Sequence, residues 1–132
     1  MNDIIKNFIV DEKEFSNKDS ERLIKEILDY VKVSKEGRVL FTINSINNTD
    51  KIGLILIARF LANNFEKTIP QEVSISEIMD FCSLSNKIVG ARLSDLTKQR
   101  IIKRIKPGKY IVIPYQIEFF IKKVNKTYGG IN

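Results

Sequence analysis

The sequence predicts an α+β fold, mostly α, on three observations. Apolar residues recur at helical spacing in five segments, and Ser, Thr or Asp stands where most of those segments begin. Two β-branched runs flank the turn-forming residues Pro107 and Gly108, and a third short run occupies residues 38–43. The chain has 132 residues, 43% of them hydrophobic. A chain of that length buries roughly two-thirds of its unfolded surface, so it needs neither disulfides nor a metal to hold a core.

Residues 1–18 mix Ile4, Ile5, Phe8, Ile9 and Val10 with acidic Asp11, Glu12 and Glu14 and show no period, so no element is assigned there. From an Asp19 or Ser20 cap, Leu23, Ile24, Ile27, Leu28 and Val31 recur at helical spacing and predict a helix that runs until Gly37. Residues 38–43 predict a short strand, closed by the polar run 44–48. Together these form an N-terminal extension over residues 1–48.

Residues 49–132 open with a helix from 51 to about 66, capped by Thr49 or Asp50. Its apolar residues surround most of its circumference, so it must be covered on more than one side. Ser74-Ile75-Ser76-Glu77 has the form of a capping box, which starts a helix over residues 75–82 with the stripe Ile75, Ile78, Met79 and Cys82. Cys82 lies on that stripe and reads as a small buried hydrophobe. Ser85 caps a third helix, 85–99, in which Val89, Leu93 and Leu96 form the buried stripe. The opposite face carries Lys87, Ala91, Ser94 and Lys98, two ammonium groups at either end of small side chains, with Gly90 on the flank. Strands over 100–105 and 110–113 follow, joined by Lys106-Pro107-Gly108-Lys109, where Pro-Gly suits a type II turn. A last helix, 115–126, places Ile117, Phe120, Ile121 and Val124 on one face, and residues 128–132 read as a frayed tail.

Composition excludes several chemistries. The chain contains no histidine and a single cysteine, which removes the commonest metal ligand, the commonest general base and any internal disulfide. No paired carboxylates, phosphate loop or nucleophile–base spacing is present, so the chain is not expected to be an enzyme, and no cofactor or small-molecule ligand is implied. No apolar run approaches the roughly 20 residues of a membrane span, and the start lacks the layout of a secretory signal, so a cytoplasmic protein is expected. Charge is uneven: residues 1–48 carry 8 basic and 9 acidic side chains, residues 49–132 carry 14 and 7. Such a positive C-terminal half attracts polyanions, nucleic acid first among them.

Val73-Ser74-Ile75-Ser76-Glu77-Ile78, Leu84-Ser85, residues 89–96, Ile101-Ile102 and Gly108-Lys109-Tyr110 fall in an order of helix, extended link, helix, tight turn, helix and basic hairpin. In this order, about half the chain resembles the winged helix-turn-helix of small archaeal and bacterial transcription regulators. The resemblance implies that helix 85–99 enters the major groove of double-stranded DNA while the wing, 100–113, meets the backbone or the minor groove. The implied contacts are Asn86, Lys87, Gly90, Ala91, Ser94 and Lys98 on the helix, and Lys103, Arg104, Lys106 and Lys109 on the wing. Strand alternation lets only one of Lys103 and Arg104 face the DNA. Helical phase turns Asn86 partly toward the core. Many members of that family carry Ser or Thr and Arg at the positions held here by Gly90 and Ala91, so the resemblance implies little direct base reading and a larger share for DNA shape.

The expected function is therefore a DNA-binding transcriptional regulator. The competing class is a winged-helix protein–protein adaptor in a transcription, replication or division complex. An adaptor needs an exposed apolar patch, whereas helix 85–99 and its hairpin read as basic and nearly free of exposed apolar groups. An RNA-binding role would have only Tyr110 and Tyr115 as a stacking platform. Leu23, Ile27 and Val31, with Ile117, Phe120, Ile121 and Val124, offer more apolar face than a compact winged core covers, which predicts a homodimer.

Overall fold

A helix that is apolar on all sides has to sit at the centre, and α3 (Asn48–Phe65) does: every residue from Ile52 to Leu61 is buried. The computed structural model describes residues 2–9 and 17–129. Before α3 come α1 (Asp3–Phe8), α2 (Asn17–Ile27), β1 (Val31–Val33) and β2 (Val39–Phe41). After it come β3 (Val73–Ser74), α4 (Ile75–Cys82), α5 (Asn86–Lys98), β4 (Ile102–Lys106), β5 (Lys109–Val112), a 3-10 turn at Pro114–Gln116 and α6 (Ile117–Tyr128). The fold is α+β and mostly helical, with two small antiparallel sheets: β1-β2, and a second in the order β3-β5-β4.

The N-terminal region departs from the sequence expectation. The predicted helix stops at Ile27, ten residues short of Gly37, and the chain turns through Tyr30, whose N–H donates to the Ile27 carbonyl at 2.9 Å, into β1. Val31 is buried as its spacing requires, but on a strand that falls in phase with the helix before it. Gly37, at φ +90°, belongs to the β1–β2 turn, where Val33 pairs with Val39. Leu28 lies beyond the helix and is exposed. The extension thus holds a hairpin, and also α1, where no element is expected. Ser20 does not cap α2; it is buried inside it and accepts from the Asn64 amide at 2.7 Å. The cap of α3 is Asn47, whose side chain accepts from the Asp50 N–H at 2.9 Å, rather than Thr49 or Asp50. Val10, Asp11, Glu12, Glu14 and residues 130–132 of the expected tail lie outside the described residues. Tyr128, the first residue of that tail, is instead buried in the last turn of α6.

The apolar faces that suggest a dimer from sequence are covered within the chain. Leu23, Ile27 and Val31 join Ile117, Phe120, Ile121 and Val124 in one core with α3. Phe120 packs on Gly53 so closely that a Cβ there would stand 2.2 Å from the ring. The end of α6 is tied down by polar contacts: the Tyr128 hydroxyl donates to the buried Asp50 carboxylate at 3.0 Å and accepts from the Asn47 N–H at 3.1 Å, and Tyr30 donates to Asn125 at 2.8 Å. Burial raises the Tyr128 pKa above its ordinary 10.0, and the Asp50 carboxylate adds to that rise.

A second polar anchor fixes α4. Arg59, 1% exposed, donates to the carbonyls of Gly37, Pro70 and Glu72 and to the Glu77 carboxylate at 2.7 Å. One guanidinium thereby joins the β1–β2 turn, the loop after α3 and the first turn of α4. Its five donors in a fixed fork suit that role, and a lysine would not. Arg38 reinforces the junction by pairing with Asp80 and lying over the Phe81 ring.

Candidate nucleic-acid interface

The capping box forms as the sequence implies: Ser74 accepts from the Glu77 N–H at 3.1 Å and Glu77 accepts from the Ser74 N–H at 3.0 Å. Burial pushes the Glu77 pKa up, but the Ser74 N–H and the Arg59 guanidinium outweigh it and hold the group below its ordinary 4.5. At the other end of α4 the chain reverses at Ser83, in the left-handed region at φ 54°, and only Leu84 separates it from Ser85. Ser85 caps α5 by accepting from the Ile88 N–H. The two helices are thus held by a three-residue turn, which leaves α5 one face for the core and one for solvent.

Val89, Leu93 and Leu96 fill the inner face and are fully buried. Lys87, Gly90, Ala91, Ser94 and Lys98 are exposed together, and a Cβ built at Gly90 meets nothing within 4 Å. Asp95, the only acidic residue of α5, pairs with Arg92 at 3.1 Å, so its charge is countered locally. Among the described residues none of Lys87, Lys98, Arg104, Lys106 and Lys109 forms an ion pair. The exposed face of α5 is therefore small in its middle and positive at both ends. Asn86 departs from expectation: it is exposed, with its amide 3.9 Å from Met79 Sδ, because it stands in the first turn where no preceding turn covers it.

The hairpin is more constrained than a projecting wing. Gly108 adopts φ +74°, as the third residue of a type II turn requires. Yet Lys109 already pairs with Ser74, and the Ile75 N–H donates to the Gly108 carbonyl at 3.0 Å, so the tip is fastened to the start of α4. Lys106 is exposed at the tip and Lys109 is half-buried. Ile102 and Val112 point into the core as a cross-strand pair, and alternation puts Arg104, opposite Tyr110, on that side. Lys103 points the other way, into a groove of about 180 Å³ with Phe60, Ile105, Ile111, Ile113 and Pro114. Arg104, and not Lys103, shares the side of the sheet that faces the α5 core.

Neither α5 nor the hairpin is as free of exposed apolar groups as the sequence suggests. Ile88 is 41% and Ile105 43% exposed. Ile105 sits where the β4–β5 register shifts, and such an irregularity re-aims a side chain that regular pairing would place. No family model matches the chain, and no match was found among curated proteins or solved structures. Among the described residues no cluster of His, Cys, Asp or Glu could hold a metal, and no helix is long and apolar enough to cross a membrane. Cys82 is half-buried against the core rather than fully buried as its place on the α4 stripe implies, and burial raises its thiol pKa above the ordinary value.

Proposed function

We propose that the chain is a DNA-binding regulator of winged helix-turn-helix architecture that presents α5 to the major groove of duplex DNA. The observation that carries this reading is the exposed α5 face: Lys87 and Lys98 flank Gly90, Ala91 and Ser94, with no free acid among them. Small side chains let the helix backbone approach base edges and phosphates closely, and the flanking ammonium groups reach the backbone on either side. The element order α3-β3-α4-α5-β4-β5 and the sheet order β3-β5-β4 support the architecture. Direct base reading is modest, since Asn86 and Ser94 are the neutral polar side chains best placed for it.

A second reading, the adaptor, is favoured by one observation: exposed Ile105 and half-buried Ile111 and Ile113 line the groove that also holds Lys103. Ala91→Glu separates the two. Position 91 is exposed, so the fold stays intact, while the carboxylate faces phosphates. Affinity for duplex DNA is expected to fall by at least about tenfold, or 1.4 kcal/mol, with an unchanged circular dichroism spectrum. Wild-type affinity in that variant removes α5 from the interface and puts the adaptor first.

A further inference from the structure

Helix α6 has a second face that the core does not use. Its apolar residues Ile117, Phe120, Ile121 and Val124 are buried. At 100° per residue, Phe119, Lys122 and Lys126 fall within about 60° of one another on another side, and all three are exposed. Tyr115, in the 3-10 turn that leads into α6, stands about one turn before Phe119. Tyr115 is 52% and Phe119 69% exposed, so two aromatic rings open to solvent beside the lysines. Among the described residues Lys122 and Lys126 form no ion pair, and the one acid of α6, Glu118, is taken by Arg22 at 3.0 Å. Lys123 adds a third exposed ammonium group, 4.0 Å from the Asp50 carboxylate.

We infer that this face of α6 binds single-stranded nucleic acid, with bases stacked on Tyr115 and Phe119 and phosphates held by Lys122 and Lys126. The charge selects a polyanion: ammonium groups with no free acid among them attract phosphate and repel a second copy of the same face. The rings select bases among polyanions. Exposed aromatic rings beside cations give unpaired bases a flat surface to stack on, whereas a duplex keeps its base faces covered. An anionic membrane fits less well, because a helix lying on it buries a whole apolar face, and that of α6 is already occupied by the core. Tyr110 packs half-buried against the core and does not join the pair of rings. The surface is separate from the exposed face of α5, and the inference does not depend on what α5 binds.

Fluorescence anisotropy of a labelled oligothymidylate tests it. Phe119→Ala is expected to weaken binding by about tenfold, the loss of one stacked base. Its circular dichroism spectrum is expected to be unchanged, since Phe119 is exposed. Lys122→Ala with Lys126→Ala is expected to flatten the slope of log affinity against log salt by about 1.4 units, at about 0.7 for each phosphate of a single strand. Stacking has a signature of its own. The chain contains no tryptophan, so the emission of Phe119→Trp reports that position alone. Quenching is expected with oligothymidylate, and none with an oligomer of the same sugar-phosphate backbone without bases. Oligouridylate is expected to bind within about threefold, because stacking and charge are common to RNA and DNA; a preference of about tenfold for either would place the selection in sugar contacts and overturn the inference. No binding by wild type, wild-type affinity in Phe119→Ala, or equal binding of the base-free oligomer also overturns it. Phosphatidylserine vesicles that bind wild type, but not Phe119→Ala, while oligothymidylate does not distinguish the two, assign the face to a membrane instead. Ala91→Glu separates this inference from the reading of α5: that variant is expected to lose duplex and keep oligothymidylate, and loss of both moves the single strand to α5.

Discussion

Two glycines within helices, Gly53 and Gly90, have opposite surroundings, and so alanine at each has an effect of opposite sign. At Gly90 a Cβ meets nothing within 4 Å, so Gly90→Ala is expected to stabilise by about 0.5–1 kcal/mol, through the lower entropy of the unfolded chain. At Gly53 the same Cβ lies 2.2 Å from the buried Phe120 ring, so the ring or α6 has to move, and a loss of about 1–3 kcal/mol is expected. Urea unfolding of both variants measures the pair; equal shifts would mean that α6 does not press on α3. Glu77 supplies a pH dependence. Its folded pKa is lowered, so its contribution is fully present above the ordinary 4.5 and disappears as pH falls through the folded value. Thermal melts from about pH 6 down to about pH 3 are expected to lose stability faster for wild type than for Glu77→Gln, which cannot titrate. The capping box was legible because a motif within four residues fixes its own geometry. The Arg59 anchor was not, since three of its four partners are backbone carbonyls of distant loops that carry no side-chain signal.

Elements were read well where one period ran uninterrupted between clear caps, as in α4, α5 and the β4–β5 hairpin. The reading failed at α2, because Leu23, Ile27 and Val31 stand four apart and the last belongs to the next element. Val31-Lys32-Val33 alternates like a half-buried strand, and Gly37 marks the turn after it; those were the available signals. The exposed α5 face was visible from phase alone, whereas the side of Lys103 depends on which face of the β4–β5 hairpin meets the core, and the fastening of the hairpin tip on pairing with β3, neither of which local sequence encodes. The hold on the end of α6 is equally non-local and gives a prediction at this scale. Tyr128→Phe removes the donor to buried Asp50 and the acceptor for the Asn47 N–H. The expected loss is about 1–3 kcal/mol, with amide exchange accelerating first in the last turn of α6. Uniform acceleration throughout the chain would show instead that α6 unfolds only with the whole core.

At the scale of the whole molecule, two positive groups, the α5 face and the hairpin tip, lie at opposite ends of β4, and Lys122, Lys123 and Lys126 of α6 are exposed as a third. Lys98 closes α5 shortly before β4 begins, and Lys106 ends that strand four residues after its first residue, Ile102, a length of about 13 Å along β4. A DNA duplex lying along α5 meets Lys87 and Lys98 directly, but reaches Lys106 and Lys109 only if the tip lies in its path. The tip is not free to follow, because the Ile75–Gly108 hydrogen bond and the Ser74–Lys109 pairing hold it to α4. With Lys103 on the far side of the sheet, Lys87, Lys98, Arg104, Lys106 and Lys109 are the candidate phosphate contacts. If all engage, log affinity falls against log salt with a slope near −4 to −5 per protomer, at about −0.9 for each phosphate neutralised. Lys87→Ala with Lys98→Ala is expected to flatten that slope by about 2 units, and to weaken binding to all sequences alike, since backbone contacts carry no direct base information. Lys106→Ala with Lys109→Ala is expected to flatten it by less, because the half-buried Lys109 on a fastened tip cannot adjust to the backbone. Salt titrations of wild type and both double variants on one duplex decide the matter. A larger effect at the tip than on α5 moves the interface to the hairpin, and a wild-type slope near zero removes duplex DNA as the ligand.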